Sequence, residues 1–163
     1  MSSVIHIEPL TVAAFAPFGD VLDVSGEPDK IINQGLCGRY HDRAVVDVTD
    51  GKAGISLFNA QARLLPLVLD MVERHPDGSQ AFLPMSLTPF LVIVAPDENG
   101  KLGRPRAFLT TAGQGVNYHR GTWHGVLTPL HAPGLFAVVD RIGAGDNLQE
   151  HWFDTPFTVE NKV

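Results

Sequence analysis

His119 and His124 bracket the densest polar segment of the chain, Asn117-Tyr118-His119-Arg120-Gly121-Thr122-Trp123-His124, which holds two of its seven histidines. An imidazole titrates near neutral pH, so two that converge can serve as an acid and a base, or as neutral ligands to a metal. Five residues apart, they would stand about 140° apart on a helix at roughly 100° per residue. A shared helical face is therefore disfavoured, and a bend at Gly121 is the way to bring them together. Ala112-Gly113-Gln114-Gly115 before them reads as turn and Val126-Leu127-Thr128-Pro129-Leu130 after them as strand. The spacing favours a site at the end of a sheet.

A second constellation lies upstream. Read as a strand, Leu67 to His75 sends Leu67, Leu69, Met71, Glu73 and His75 to one face and Val68, Asp70, Val72 and Arg74 to the other. The first face is apolar and then ends in a carboxylate and an imidazole, as an inward face does where a barrel's packed interior meets a ligand-binding mouth. His75-Pro76-Asp77-Gly78-Ser79 then makes a turn, and the return strand sends Gln80, Phe82 and Pro84 to one side. Arg39-Tyr40-His41-Asp42, beside Gly38, is a third polar cluster.

These residues must be positioned by strands. Gly and Pro together supply 28 of 163 residues and chop the chain into short segments. Strands are expected at Asp20–Val24, Ala44–Val48, Gly54–Asn59, Leu67–His75, Gln80–Met85, Phe90–Ala95, Arg106–Thr110, Trp123–Thr128 and Leu135–Arg141. Val12 to Ala16 reads as a short peripheral helix capped by Thr11, and Asp97-Glu98-Asn99-Gly100-Lys101 as an exposed turn. The pattern is that of an all-β sandwich or barrel, in a single domain spanning 1–163.

A formal charge of −6, without a lysine or arginine cluster, argues against nucleic acid and anionic membrane surfaces and for a small-molecule partner. The single cysteine, Cys37, permits no internal disulfide and fits a reducing compartment. With no signal-like N-terminus and no apolar run approaching about 20 residues, a cytoplasmic enzyme is expected.

The motifs Ile32-Asn33-Gln34-Gly35, Arg39-Tyr40-His41-Asp42, Glu73-Arg74-His75-Pro76, Gln80-Ala81-Phe82-Leu83-Pro84-Met85, Gln114-Gly115-Val116-Asn117-Tyr118-His119-Arg120, Trp123-His124 and Asp140-Arg141, in this order, resemble the ureidoglycolate lyase family of allantoin degradation. The resemblance covers nearly the whole chain. It implies a cupin-type barrel (a double-stranded β-helix, or jelly roll), a homodimer, and cleavage of (S)-ureidoglycolate to glyoxylate and urea, with nickel as the associated metal. Metal-binding cupins carry three histidines and a glutamate on two hairpins. By that comparison His124 takes a ligand place, His119 stands where the pattern has proline, Glu73 replaces the first histidine, His75 is retained, and neutral Gln80, a weak donor, replaces the glutamate. Gly125 stands where the family often has a further histidine.

Ureidoglycolate is a hemiaminal whose cleavage needs a base for the hydroxyl proton, an acid for the departing urea nitrogen and a cation for the carboxylate. His119 and His124 suit both proton roles, in either order. If a divalent metal is bound, His75 and His124 become its ligands, leaving His119 or Glu73 as base, while the cupin comparison offers Glu73 and Gln80 as the two further ligand places. Arg39, Arg120 and Arg141 are candidates for the carboxylate; Arg74, on the opposite strand face from Glu73 and His75, ranks last. Tyr40, His41, Gln80, Asn117 and Tyr118 can contact substrate.

Plainer readings compete. His131 and His151 read as structural histidines, Trp123 and Phe82 as packing residues, and Arg141 as a surface partner of Asp140 or Asp146. A metal-dependent cupin isomerase or dioxygenase would use the intact three-histidine, one-glutamate set, against which Glu73 and Gln80 count. A noncatalytic acid-binding cupin, such as a regulator's sensory half, would bring a DNA-binding helix pair that this sequence lacks.

Overall fold

Strand Phe90–Ala95 is buried on both faces, and two apolar cores meet across it. Its continuous run Phe-Leu-Val-Ile-Val-Ala is the composition such a wall requires, because neither face offers a polar side chain any water. Phe90, Val92 and Val94 enter one core with Phe15, Phe82, Phe108, Val116 and Tyr118. Leu91 and Ile93 enter the other with Ile5, Leu67, Leu69, Val72 and Val159. Each such side chain contributes roughly 1.5–3 kcal/mol on burial.

In this computed structural model, which describes residues 3–162, the strands form two main sheets. The five-stranded sheet runs in the order Gly19–Leu22, Gly115–Tyr118, Gln80–Pro84, Leu135–Ile142, Lys52–Asn59, antiparallel throughout. The other runs Arg106–Leu109, Val4–Pro9, Gln149–Glu160, Leu67–Arg74, Trp123–His124, Phe90–Ala95, and closes on itself because Arg106–Leu109 also pairs with Phe90–Ala95. The result is a six-strand mixed barrel set against an antiparallel sheet, mostly β with one short helix, as the cupin-type reading expects.

The helix spans Val12–Phe15, with Thr11 Oγ1 accepting from the amide of Ala14 as the expected cap. Two strand expectations need correction. Ala44–Val48 pairs only through an isolated Val48–Gly78 bridge, because the segment lies across the sheet's outer face and ties down through Ser79 and Asp47. Trp123–Thr128 is two short strands, Trp123–His124 and Thr128–Pro129, interrupted at Gly125. The expected turn at 97–101 is a small hairpin, with Asn99 and Gly100 both at positive φ, the chemistry of a tight two-residue turn. No described helix is long and apolar enough to cross a membrane.

Candidate functional site

Leu67–Arg74 changes phase along its length, and that change creates the site. Leu67, Leu69 and Val72 all enter the barrel core, a break in strict alternation that lies opposite a bulge between Trp152 and Phe157 on the neighbouring strand. Glu73 therefore does not share a face with Leu67 and Leu69, as simple alternation had it. It pairs with His124, which pairs in turn with Val94, and all three point between the two sheets.

Glu73, His75 and His124 come together there, with one ligand atom from each within 4.8 Å of the others. His75 Nε2 is 4.0 Å from a Glu73 carboxylate oxygen, and the two imidazole centroids are 5.2 Å apart. Gly121, at φ +74°, makes the expected bend, and its amide donates to the carbonyl of His75, tying the two hairpins together.

Both imidazoles are locked in one tautomer. His75 Nδ1 donates to the carbonyl of Asn147 at 2.7 Å, and His124 Nδ1 donates to that of Gly125 at 3.0 Å. Each Nε2 is left with a lone pair, buried and without a partner. Gln80 repeats the pattern: its amide donates to Asp140 at 3.1 Å, while its Oε1 is buried and unpartnered. Gln80 is cross-strand neighbour to Tyr118, whose ring stacks on His124 at 4.3 Å and 5°. Among the described residues these are the three buried side-chain atoms lacking a hydrogen bond. A buried unmet acceptor costs about 1–3 kcal/mol, and the two imidazole nitrogens beside the Glu73 carboxylate form a donor set suited to a divalent cation, with Gln80 next to the Tyr118 ring that stacks on His124.

Electrostatics agree with that set. Burial pushes the Glu73 carboxyl above its ordinary range, with the Glu150 carboxylate adding to the effect and His75 opposing it. Complete burial lowers His124 to about 3, partly offset by its bond to Gly125, so it is a neutral imidazole at physiological pH. Burial, reinforced by Glu73, raises Tyr118 well beyond the usual phenol range and keeps its hydroxyl protonated.

A stability consequence follows for chelator-treated protein. Folded His124 resists a proton that the unfolded chain accepts near 6.5, so its contribution is fully present above that pH and falls as the pH drops from 6.5 towards about 3. Each tenfold in the ionisation constant is worth about 1.4 kcal/mol, so a few kcal/mol are at stake. Urea midpoints near neutral pH and near pH 4.5 should differ more for wild type than for His124→Gln; equal differences would refute this contribution.

Other expected site residues lie elsewhere. His119 is not brought to His124: it is half exposed, with Nε2 3.2 Å from Asp20, on the outer face it shares with Asn117, which donates to the same carboxylate. Arg120 forms a two-point ion pair with Asp47, at 2.8 and 2.6 Å. Arg141 donates to the carbonyls of Thr49, Asp50 and Ala144 and so braces a loop. Arg74 is held by Gln149 and Asp97. Arg39, Tyr40 and His41 lie at and just beyond the hairpin Lys30–Ile32/Cys37–Arg39, where Arg39 meets His41 Nδ1 at 2.7 Å and makes no ion pair among the described residues.

Sequence reasoning missed Asp140, Asn147 and Glu150. Asp140 follows the inward series Phe136 and Val138, so alternation could have found it next to Arg141, which was chosen instead. Asn147 lies 72 residues from His75 and gives no sequence signal. At Gly125, a Cβ would stand 3.1 Å from that of Ile93, so the family's further histidine would require Ile93 to shift.

Comparison with known proteins shows the family. The family model described as Ureidoglycolate lyase matches residues 2–160. A protein named Ureidoglycolate lyase from Rhodobacter capsulatus is 64% identical over 155 residues, 94% of this chain and 96% of its own length. One of the same name from Chelativorans sp. is 53% identical over 93% of each chain. Ureidoglycolate lyase 2 from Rhizobium meliloti is 51% identical, over 94% of this chain and 96% of its own.

Proposed function

The chain belongs to the ureidoglycolate lyase family and is an enzyme of that activity, and we propose that it cleaves (S)-ureidoglycolate to glyoxylate and urea at the Glu73, His75 and His124 cluster. The observation that carries this placement is the convergence of two buried, unpartnered imidazole nitrogens on one carboxylate.

His75 Nε2, His124 Nε2, Gln80 Oε1 and Glu73 would hold a divalent cation, nickel by family resemblance. When bound, that cation acts as a Lewis acid that makes the substrate hydroxyl easier to deprotonate. Glu73, which would offer the cation one carboxylate oxygen and keep the other, takes the hydroxyl proton as the carbonyl forms. The C–N bond breaks with its electron pair going to nitrogen, and the same carboxyl returns the proton there, so atoms balance without added water. Tyr118, kept a neutral phenol beside Glu73, donates a hydrogen bond to the urea carbonyl. His119 lies on the other face of its strand, so proton transfer passes in this reading from His119 to Glu73.

Of the arginines expected for the substrate carboxylate, Arg74 and Arg120 are engaged by carboxylates and Arg141 by carbonyls, which leaves Arg39, on a hairpin outside the cluster, as the candidate. Arg39→Ala is expected to raise KM about tenfold or more while changing kcat less, the signature of lost ground-state binding. An unchanged KM would remove Arg39 from the site.

The hairpin bearing Arg39 exposes Ile31 at 55% and Leu36 at 87%, and the outer face of the five-stranded sheet exposes Ile55 at 78% and Leu57 at 66%. A second copy of the chain, forming the homodimer of the family reading, would cover them. Sedimentation equilibrium should give twice 17.6 kDa, and a monomer mass at micromolar concentration would refute it.

The activity itself is read by incubating purified protein with racemic ureidoglycolate and assaying glyoxylate and urea. Half of the substrate should be consumed above the spontaneous rate, in equimolar products. No release above that rate would overturn the reading.

A further inference from the structure

Behind the two strands that carry the cluster lies a groove of about 820 Å³ that the cleavage chemistry does not use. The same alternation builds both. Glu73 and His75 point between the sheets, and Arg74 between them points to the groove. His124 points inward, and the adjacent Trp123 lines the groove.

Four rings form one wall in an unbroken series of edge-to-face contacts. Trp123 meets His151 at 6.3 Å, His151 meets Phe153 at 5.3 Å, and Phe153 meets Phe157 at 5.1 Å. His151, Phe153 and Phe157 stand an even number of residues apart, so strand alternation turns them to the same side, across a bulge between Trp152 and Phe157 that takes the stretch out of the regular ladder. A guanidinium lies near each end: Arg74 4.4 Å from the Trp123 ring, Arg104 5.4 Å from that of Phe157. Lys101, on the hairpin closing the groove, adds a third cation, and the one carboxylate among the described lining residues is Asp97, which pairs with Arg74 at 3.1 Å, so two positive charges are in excess.

The lining is therefore locally positive in a chain of net charge −6. That sign favours an anion. Ring faces and edges alternating along the wall, with guanidinium planes over the two end rings, favour a planar, conjugated one, and the volume is that of a small-molecule site. We propose that this groove is a second ligand site, for a small planar anion, standing back to back with the cleavage site and built from residues outside it.

Three probes separate shape from charge: orotate, a planar ring with a carboxylate; uracil, the same ring without it; and cyclohexanecarboxylate, the charge without planarity. Trp123 reports binding by fluorescence once the chain's other tryptophan, the exposed Trp152, is replaced by phenylalanine. Orotate should quench saturably and bind at least tenfold more tightly than either control. Lys101→Ala should weaken it severalfold, whereas His75→Ala, on the cluster side, should leave the titration unchanged and so distinguish the groove from the cleavage site. Absence of saturable quenching, equal affinity for the three probes, indifference to Lys101→Ala, or loss in His75→Ala would each overturn the proposal.

Discussion

His124→Ala is expected to lower ureidoglycolate turnover by at least about 100-fold and to cost the protein its divalent cation. His124 is the most constrained member of the cluster: buried, stacked on Tyr118, paired in register with Glu73 and fixed through Gly125 so that Nε2 faces the other ligand atoms. Replacement of a residue that merely orients a ligand costs about 10–100-fold, and removal of the ligand should exceed that. Deleting a buried ring also leaves a cavity, so the comparison is made alongside His124→Asn, which fills part of the space without the imidazole. Parallel kinetics and metal analysis would show both variants inactive and metal-poor. His119→Ala serves as control and should retain both properties, because His119 bonds to Asp20 on the opposite face. Normal turnover in His124→Ala, or collapse in His119→Ala, would reverse the assignment.

Glu73→Gln is expected to reduce kcat by about 10²–10⁴, the range for loss of a positioned proton-transfer group. The substitution keeps the size of the side chain and removes its charge. In metal-free protein the wild-type carboxylate is a partly buried charge whose burial raises its proton affinity, with Glu150 adding to the effect and His75 opposing it. Neutralising it should leave thermal stability unchanged or improved. Activity lost without stability lost identifies a residue kept for function rather than fold. A Glu73→Gln protein that turns over normally would sink the proton-transfer role, and one that unfolds would show the carboxylate to be structural.

The core strands were legible in the sequence because their composition and their burial have the same cause. Phe90–Ala95 is apolar at every position because it separates two cores, and its predicted bounds match those observed. Gln149–Glu160 was not recognised as a strand: most of its residues are exposed and Pro156 interrupts it within the bulge. Val4–Pro9, which pairs in parallel with strands distant in the sequence, offered no hairpin signal. The four residues read as metal ligands include the three whose side-chain atoms lie buried and unpartnered, because two hairpins of readable spacing carry them. The arginines were less legible. Their partners, Asp47 for Arg120 and the carbonyls of residues 49, 50 and 144 for Arg141, come from loops whose course only the folded chain fixes.

The most direct measurement of the central claim is a titration of bound metal against glyoxylate release. Purified protein loaded with nickel is dialysed against graded chelator, and each sample is assayed for metal content and for initial rate with ureidoglycolate. If Glu73, His75, Gln80 and His124 hold the catalytic cation, wild-type rates fall in proportion to bound metal, extrapolating to the spontaneous rate at zero and to full activity near one ion per chain. Full turnover in metal-free protein would contradict the account.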